Sequence, residues 1–350
     1  MKVRVLATAV IGVLALSIAG WVSAGKGRES VKARQASRLI SLLPASDAIA
    51  VFDTKRFFVN ALPQILSANQ PLLSEITAKI DEMQTKTGID LRRFDQIAVG
   101  VAYKQVSATE TDYEPVVIAG GDINAGALLA VSKLESTGTY REEKIGTHTV
   151  YVFTEKNVVH KTTANTTNSK VAGAVDRAMN GLSKEVAVAD IDNNTVAIGS
   201  FARVRETLEG RTHVSADLTS LLSQKETAVS SFAARSPGGM SKWLPLDDDQ
   251  LGTNLNAIQL VSGSLDVAAA GTTLQLFART KTADQAQGLK ETLDGLQMVG
   301  KAFLSKAKRA DQQVYSRMLN NAKLGVHANE LTLELMVPQS DIDILVAQIK

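Results

Sequence analysis

Residues 186–200, VAVADIDNNTVAIGS, contain the pattern that decides the fold of this 350-residue chain. Two short stretches of β-branched and small residues, Val186–Ile191 and Thr195–Ser200, flank the polar segment Asp192–Asn194. Asn and Asp tolerate the positive φ angles that tight hairpin turns need. The stretch therefore predicts two antiparallel strands joined by a short turn.

Similar stretches recur along the chain. Alternation of apolar with small or polar residues predicts strands at 47–52, 97–103, 116–120, 150–153, 261–267 and 331–337. Apolar residues at helical spacing predict helices at Lys55–Leu66, Leu72–Lys86, Asp122–Leu134 and Ala202–Leu208, a long helix carrying Leu289, Leu293, Leu296 and Phe303, and a last one after Pro338. The order strand–strand–helix occurs twice in each half of the chain. We predict an α+β fold of two related halves, built from antiparallel strand–strand–helix units with helices on one face of the sheets.

The same pass along the chain predicts four segments. Residues 1–24 form a signal peptide or membrane anchor, and residues 25–43 form a basic connector. Residues 44–210 form the first α+β half, and residues 211–350 form the second. The repeat is a pattern of elements, since the two halves cannot be aligned residue by residue.

The N-terminal segment indicates contact with a membrane. Val5–Ala24 (VLATAVIGVLALSIAGWVSA) is uncharged and mostly apolar, and it follows Lys2 and Arg4. Small residues before Gly25 suit cleavage between Ala24 and Gly25, as in a secretory signal. Twenty such residues would also span about 30 Å, the thickness of a bilayer core, so an uncleaved anchor is the alternative.

Charge and cysteine content exclude several classes of protein. Apart from Lys2 and Arg4, the chain has 36 basic and 36 acidic residues, so its body offers no field for a nucleic-acid backbone. The absence of cysteine removes disulfides, thiolate nucleophiles and cysteine-ligated metals, and it fits a bacterial envelope protein. Cations dominate residues 26–38, where Lys26, Arg28, Lys32, Arg34 and Arg38 face one acid, Glu29. These cations could contact anionic lipid.

No catalytic or metal-binding motif emerges. None of the four histidines, His148, His160, His213 and His327, has a second histidine three or four residues away. Gly121–Gly126 resembles a phosphate loop but lacks the lysine that should follow, so we interpret it as a turn before a helix capped by Asp122. Asp190–Asn194 begins like a calcium loop but has Thr195 where glycine is required. We predict no cofactor and no metal, and we assign no catalytic residue.

One loop suggests a contact point for a partner or a ligand. Residues 236–254 (SPGGMSKWLPLDDDQLGTN) carry an apolar tip formed by Met240, Trp243 and Leu244. An apolar tip on a glycine-rich loop suits docking of a protein partner or an apolar ligand. The alternative is that Trp243 anchors the loop to its own domain.

The run Leu43–Leu62 (LPASDAIAVFDTKRFFVNAL), followed by the duplicated units, resembles exported bacterial proteins known only as a domain of unknown function. The resemblance implies an α+β repeat in the cell envelope and no activity. The leading hypothesis is a non-enzymatic envelope protein, exported or anchored in the inner membrane by residues 5–24, that binds a partner or an apolar ligand. The alternatives are an extracytoplasmic hydrolase without a recognisable motif and a membrane-associated assembly factor.

Overall fold

The computed structural model describes residues 38–106, 111–135, 140–154, 185–222, 227–236, 254–306 and 308–349. They form two compact units. Unit 1 contains residues 34–52 and 82–219, and unit 2 contains residues 53–81 and 220–350, each as far as they are described. The predicted signal or anchor (1–24), the cleavage position Ala24–Gly25 and the loop tip Met240, Trp243 and Leu244 lie outside the described residues.

Strands alternate with helices along the chain. The strands are β1 (Ala48–Asp53), β2 (Phe94–Gln105), β3 (Thr111–Gly121), β4 (Tyr140–Ile145), β5 (His148–Thr154), β6 (Glu185–Asp192), β7 (Thr195–Gly199), β8 (Ala228–Arg235), β9 (Ile258–Ala268), β10 (Gly271–Thr280), β11 (Lys323–His327) and β12 (Glu330–Pro338). The α-helices are α1 (Thr54–Arg56), α2 (Leu62–Ile65), α3 (Gln70–Thr87), α4 (Ala125–Glu135), α5 (Phe201–Glu209), α6 (Ala216–Thr219), α7 (Ala283–Leu304), α8 (Ala310–Asn321) and α9 (Gln339–Val346). A π-helical turn, Phe57–Ala61, joins α1 to α2, and a 3₁₀ turn, Leu91–Arg93, precedes β2.

The hairpin predicted from residues 186–200 is confirmed. β6 and β7 pair antiparallel, with Asp192 opposite Thr195 across the turn. The backbone N–H of Asn194 donates to Oδ1 of Asp192 at 2.9 Å, which closes the turn. The sheet order within unit 1 is β1-β2-β3-β7-β6-β5-β4, so this hairpin lies between β3 and β5.

The prediction of separate strand–strand–helix units is wrong. Among the described residues, the seven strands of unit 1 follow one another in a continuous sheet, and so do the five strands of unit 2; each strand pairing with a defined register is antiparallel. Period-two alternation shows which residues share a face of a strand. It does not show which strands pair, because every strand has N–H and C=O groups on both of its edges.

The prediction that helices lie on one face of the sheets is also wrong, since unit 1 has helices on both faces. Glu142 lies opposite Tyr151, so these two side chains point to the same side of the sheet. Arg141 precedes Glu142 in the strand and therefore points to the other side. The Arg141 guanidinium lies 5.4 Å from the ring centroid of Phe201, which places α5 on that side. Leu129 of α4 shares a pocket with Tyr151, which places α4 on the opposite side.

The core of unit 1 begins before Pro44. Leu39 and Leu43, at the end of the predicted basic connector, are fully buried. They lie against glycines of the sheet, because a Cβ added to Gly120 would meet Leu39 at 3.2 Å and one added to Gly100 would meet Leu43 at 3.3 Å. The absence of side chains at those glycines therefore makes room for the segment that leads into β1.

Unit 2 has a different arrangement. Its sheet order is β11-β12-β10-β9-β8. One face carries two buried apolar clusters. The larger cluster joins α2 and α9 to β12 through Leu62, Leu66, Leu335, Val337, Ile342 and Val346. The smaller one contains Ile258, Leu289 and Leu331, and it positions the first half of α7.

Candidate functional site

Helix α7 is much longer than the part of it that the sheet covers. Its N-terminus is fixed by a capping box, in which the Thr282 hydroxyl and the Gln285 side chain each bond the other residue's backbone N–H. Leu289 is 1% exposed, and Leu293 packs against the same buried cluster. A helix of 22 residues is about 33 Å long, so its second half extends past this cluster.

The second half of α7 exposes large apolar side chains to solvent. The exposed fractions are 49% for Leu296, 72% for Met298, 67% for Val299 and 83% for Phe303. Leu296, Val299 and Phe303 follow the spacing i, i+3 and i+7, so they share one face of the helix. We call these three residues the apolar helix surface; Met298 is exposed on another side of the helix.

Basic residues lie close to this surface in the sequence. Residues 295–310 contain Lys301, Lys306, Lys308 and Arg309 and no acidic residue. Arg309 forms an ion pair with Asp311 at 2.8 Å. Within the described part of the chain, Lys301, Lys306 and Lys308 form no salt bridge, so their charges are not neutralised locally.

Contacts with α8 hold the exposed end of α7 in place. Nε2 of Gln297 donates to the backbone carbonyls of Leu319, at 2.6 Å, and Ala322, at 2.9 Å. A Cβ added to Gly300 would lie 2.8 Å from Leu319, so the glycine allows the two helices to approach closely. The apolar helix surface is therefore presented by a supported pair of helices.

Sequence analysis grouped Leu296 and Phe303 with Leu289 and Leu293, but the structure separates them. Helical spacing places all four on one stripe, and it does not show where the supporting sheet ends. The signal that could have identified the surface is the run of cations without acids next to these apolar residues. Helices that lie on a lipid surface combine an apolar stripe with adjacent cations, whereas a helix that faces a protein core needs only the apolar stripe.

A second candidate site is a pocket of about 310 Å³ in unit 1. Its walls come from α4, from the turn before β5, and from β5 and β6. They are formed by Gly126, Leu129, Ala130, Thr147, His148, Thr149, Tyr151 and Asp190. The volume lies at the lower end of the range for ligand pockets, and most of the named groups are polar.

The imidazole of His148 is fixed by the backbone. Its Nδ1 lies 3.0 Å from the carbonyl oxygen of Asp190. The partner is a backbone carbonyl rather than a carboxylate, so this pair does not reproduce the His–Asp contact of a hydrolase triad. On the other face of the sheet, the Arg141 guanidinium donates to Glu185 and holds the pKa of that carboxyl below its ordinary value.

The motifs rejected from sequence have structural roles. Helix α4 begins at Ala125 instead of Asp122, and its cap is Asn124, whose Oδ1 accepts the Ala127 N–H at 2.9 Å. The helix starts late because Asn194 donates to the carbonyl of Ile123 at 3.0 Å and keeps that residue out of the helix. Asp192 of the calcium-like stretch closes the β6–β7 turn and pairs with Arg38.

The residues that the structure describes contain no group of three or more His, Cys, Asp or Glu side chains arranged to hold a metal ion. None of their helices has both the length and the apolar character needed to cross a bilayer.

Comparisons with known proteins give little guidance. No family model matches the chain, and no curated protein matches it. It is similar to a solved structure described as "Structure of crystal form I of TP0453", with a TM-score of 0.43 and 11% identity over 89% of this chain and 97% of that one. A functional proposal must therefore come from the residues of this chain.

Proposed function

We propose that the protein is a non-enzymatic binding protein of the bacterial cell envelope that attaches to the surface of an anionic membrane through the apolar helix surface. The observation that carries the proposal is the end of α7, where exposed Leu296, Val299 and Phe303 share one face and basic residues are close in the sequence. An interfacial helix needs an apolar face that enters the headgroup boundary and cations that face anionic lipids.

Apolar insertion and attraction between charges should contribute comparable free energies to membrane binding. Full burial of a Phe, Val or Leu side chain contributes roughly 1.5–3 kcal/mol, and partial insertion contributes a fraction of that. Each Lys or Arg near an anionic bilayer adds about 1 kcal/mol. The two contributions are similar in size, so binding should require both the apolar residues and the cations of residues 295–310.

The N-terminal sequence supports the same location. Whether Val5–Ala24 is a cleaved signal or an anchor, it directs the chain to a membrane. The proposal therefore covers a protein exported to the periplasm or extracellular space and one anchored in the inner membrane. Partner docking at Met240, Trp243 and Leu244 stays a separate prediction.

The test uses the absence of cysteine from the chain. In the full chain, Phe303→Cys provides a single site for a fluorophore that is sensitive to polarity. With vesicles containing phosphatidylglycerol, we expect its emission to shift to the blue and to become protected from an aqueous quencher. With pure phosphatidylcholine we expect neither change, because the cations then lack their counter-charge.

Two further variants serve as controls. Gln287 is exposed on the half of α7 that the sheet supports. A probe attached to the Gln287→Cys variant should therefore not respond to vesicles. In the Phe303→Cys background, neutralisation by Lys306→Gln and Lys308→Gln should weaken vesicle binding roughly thirtyfold, since about 2 kcal/mol is lost. If the probe at position 303 stays exposed while the protein is bound to vesicles, or becomes protected by protein concentration alone, the proposal is wrong.

A further inference from the structure

We propose that the pocket between α4, β5 and β6 binds a small organic cation, a protonated amine that also carries a hydroxyl group. This inference concerns unit 1 alone, goes beyond the membrane-binding proposal and does not depend on it. The pocket was not predicted from sequence, because its residues come from three separate parts of the chain.

The first argument is an unpaired carboxylate. Asp190 lines the pocket and is partly buried. Among the residues that the structure describes, no Lys, Arg or His forms an ion pair with it. The neighbouring acid Asp192 pairs with Arg38, so a bound cation would give Asp190 the partner that its neighbour already has. A partly buried carboxylate is stabilised by such a partner more than an exposed one.

The second argument is the hydrogen-bonding capacity of the wall. A carbonyl oxygen can only accept, so the contact with Asp190 O places the proton of His148 on Nδ1. This contact uses the Nδ1 donor, so that N–H is not left for a ligand. The Asp190 carboxylate favours a ligand rich in donors, and an ammonium group supplies three. The hydroxyls of Thr147 and Thr149 can each donate to or accept from a ligand hydroxyl.

The third argument is the charge of the pocket lining. Asp190 is the one acidic residue among the lining residues, and these include no Lys or Arg. Lys144 lies opposite Thr149 on the same face of the sheet but is not among the lining residues. The lining therefore favours a cation over an anion of the same size.

The experiment compares three two-carbon probes that differ in charge: ethanolamine, ethylene glycol and glycolate. Each is titrated into the full chain while the imidazole resonances of His148 are followed by NMR. We expect a saturable shift with ethanolamine, with a dissociation constant on the order of millimolar for so small a molecule. Ethylene glycol and glycolate should produce no saturable shift.

Matched variants locate the binding site. Asp190→Asn should weaken ethanolamine binding by about tenfold or more, because a charge-assisted hydrogen bond is lost. Asp192→Asn, two residues along the same strand, should leave the affinity unchanged. Unchanged thermal midpoints would show that both variants fold. Equal binding of glycolate, no response to ethanolamine, or an Asp190→Asn variant that binds as well as the parent would each overturn the proposal.

Discussion

Replacing Arg203 by methionine is expected to lower the free energy of unfolding by about 3 kcal/mol. Arg203 is a buried cation on α5, with 3% of its surface exposed. Its Nη2 donates to the Ala45 carbonyl at 2.8 Å and to the Ser46 hydroxyl at 2.9 Å, and its Nη1 pairs with Glu206. Without the guanidinium, the acceptors at Ala45 and Ser46 lose their partner.

The control for Arg203 lies two residues further along the same helix. Arg205 is 58% exposed and pairs with Glu209, so Arg205→Met should leave the free energy of unfolding nearly unchanged. Arg203→Lys should lie between the two, because an ammonium cannot bond all three partners in the planar geometry of a guanidinium. Urea unfolding followed by circular dichroism measures all three. Equal effects at positions 203 and 205 would show that the buried contacts do not stabilise unit 1.

Replacing Gly271 by alanine is expected to cost roughly 4 kcal/mol. Gly271 begins β10 with φ of 140°, a conformation that residues with a side chain rarely adopt. A Cβ at this position would lie 2.2 Å from the carbonyl oxygen of Val337 and 2.9 Å from the backbone nitrogen of Gln339. Both contacts are with backbone atoms, so relief would require β12 to move away from β10.

Gly146→Ala separates the effect of backbone conformation from that of the clash. Gly146 also has a positive φ, 59°, but an added Cβ would meet nothing within 4 Å. Its replacement should cost only about 1–2 kcal/mol, the penalty for a left-handed residue. Thermal unfolding of the two variants tests this, and a loss at Gly271 no larger than at Gly146 would contradict the steric explanation.

Helix ends and turns could be predicted where they depend on the backbone preferences of the residues in them. The helices predicted at Leu72–Lys86 and Ala202–Leu208 are each followed two residues later by a glycine, Gly88 and Gly210, and both glycines have positive φ in the structure. The turn at Asp192–Asn194 follows from the preferences of Asp and Asn, and the structure confirms it. The cap of α4 was misassigned to Asp122, because the contact that delays the helix comes from Asn194, about seventy residues away.

The candidate sites depended on tertiary structure to different degrees. The cations of residues 295–310 are visible in the sequence, but the exposure of Phe303 depends on where the sheet beneath α7 ends. The pocket depends on strand register, which brings Thr149 and Tyr151 of β5 next to Asp190 of β6. Neither register nor sheet length can be read from the periodicity of one strand.

By itself, the sequence determined the class of element at most of the described positions, the uncharged and mostly apolar character of residues 5–24 and the lack of a recognised catalytic motif. These properties follow from short-range chemistry: spacing, turn preference and charge. Only the tertiary structure decided that the strands within each unit form a continuous sheet, that α4 and α5 lie on opposite faces in unit 1, and that the end of α7 is exposed. Strand pairing and burial depend on contacts between residues far apart in the chain, and local periodicity carries no record of those partners.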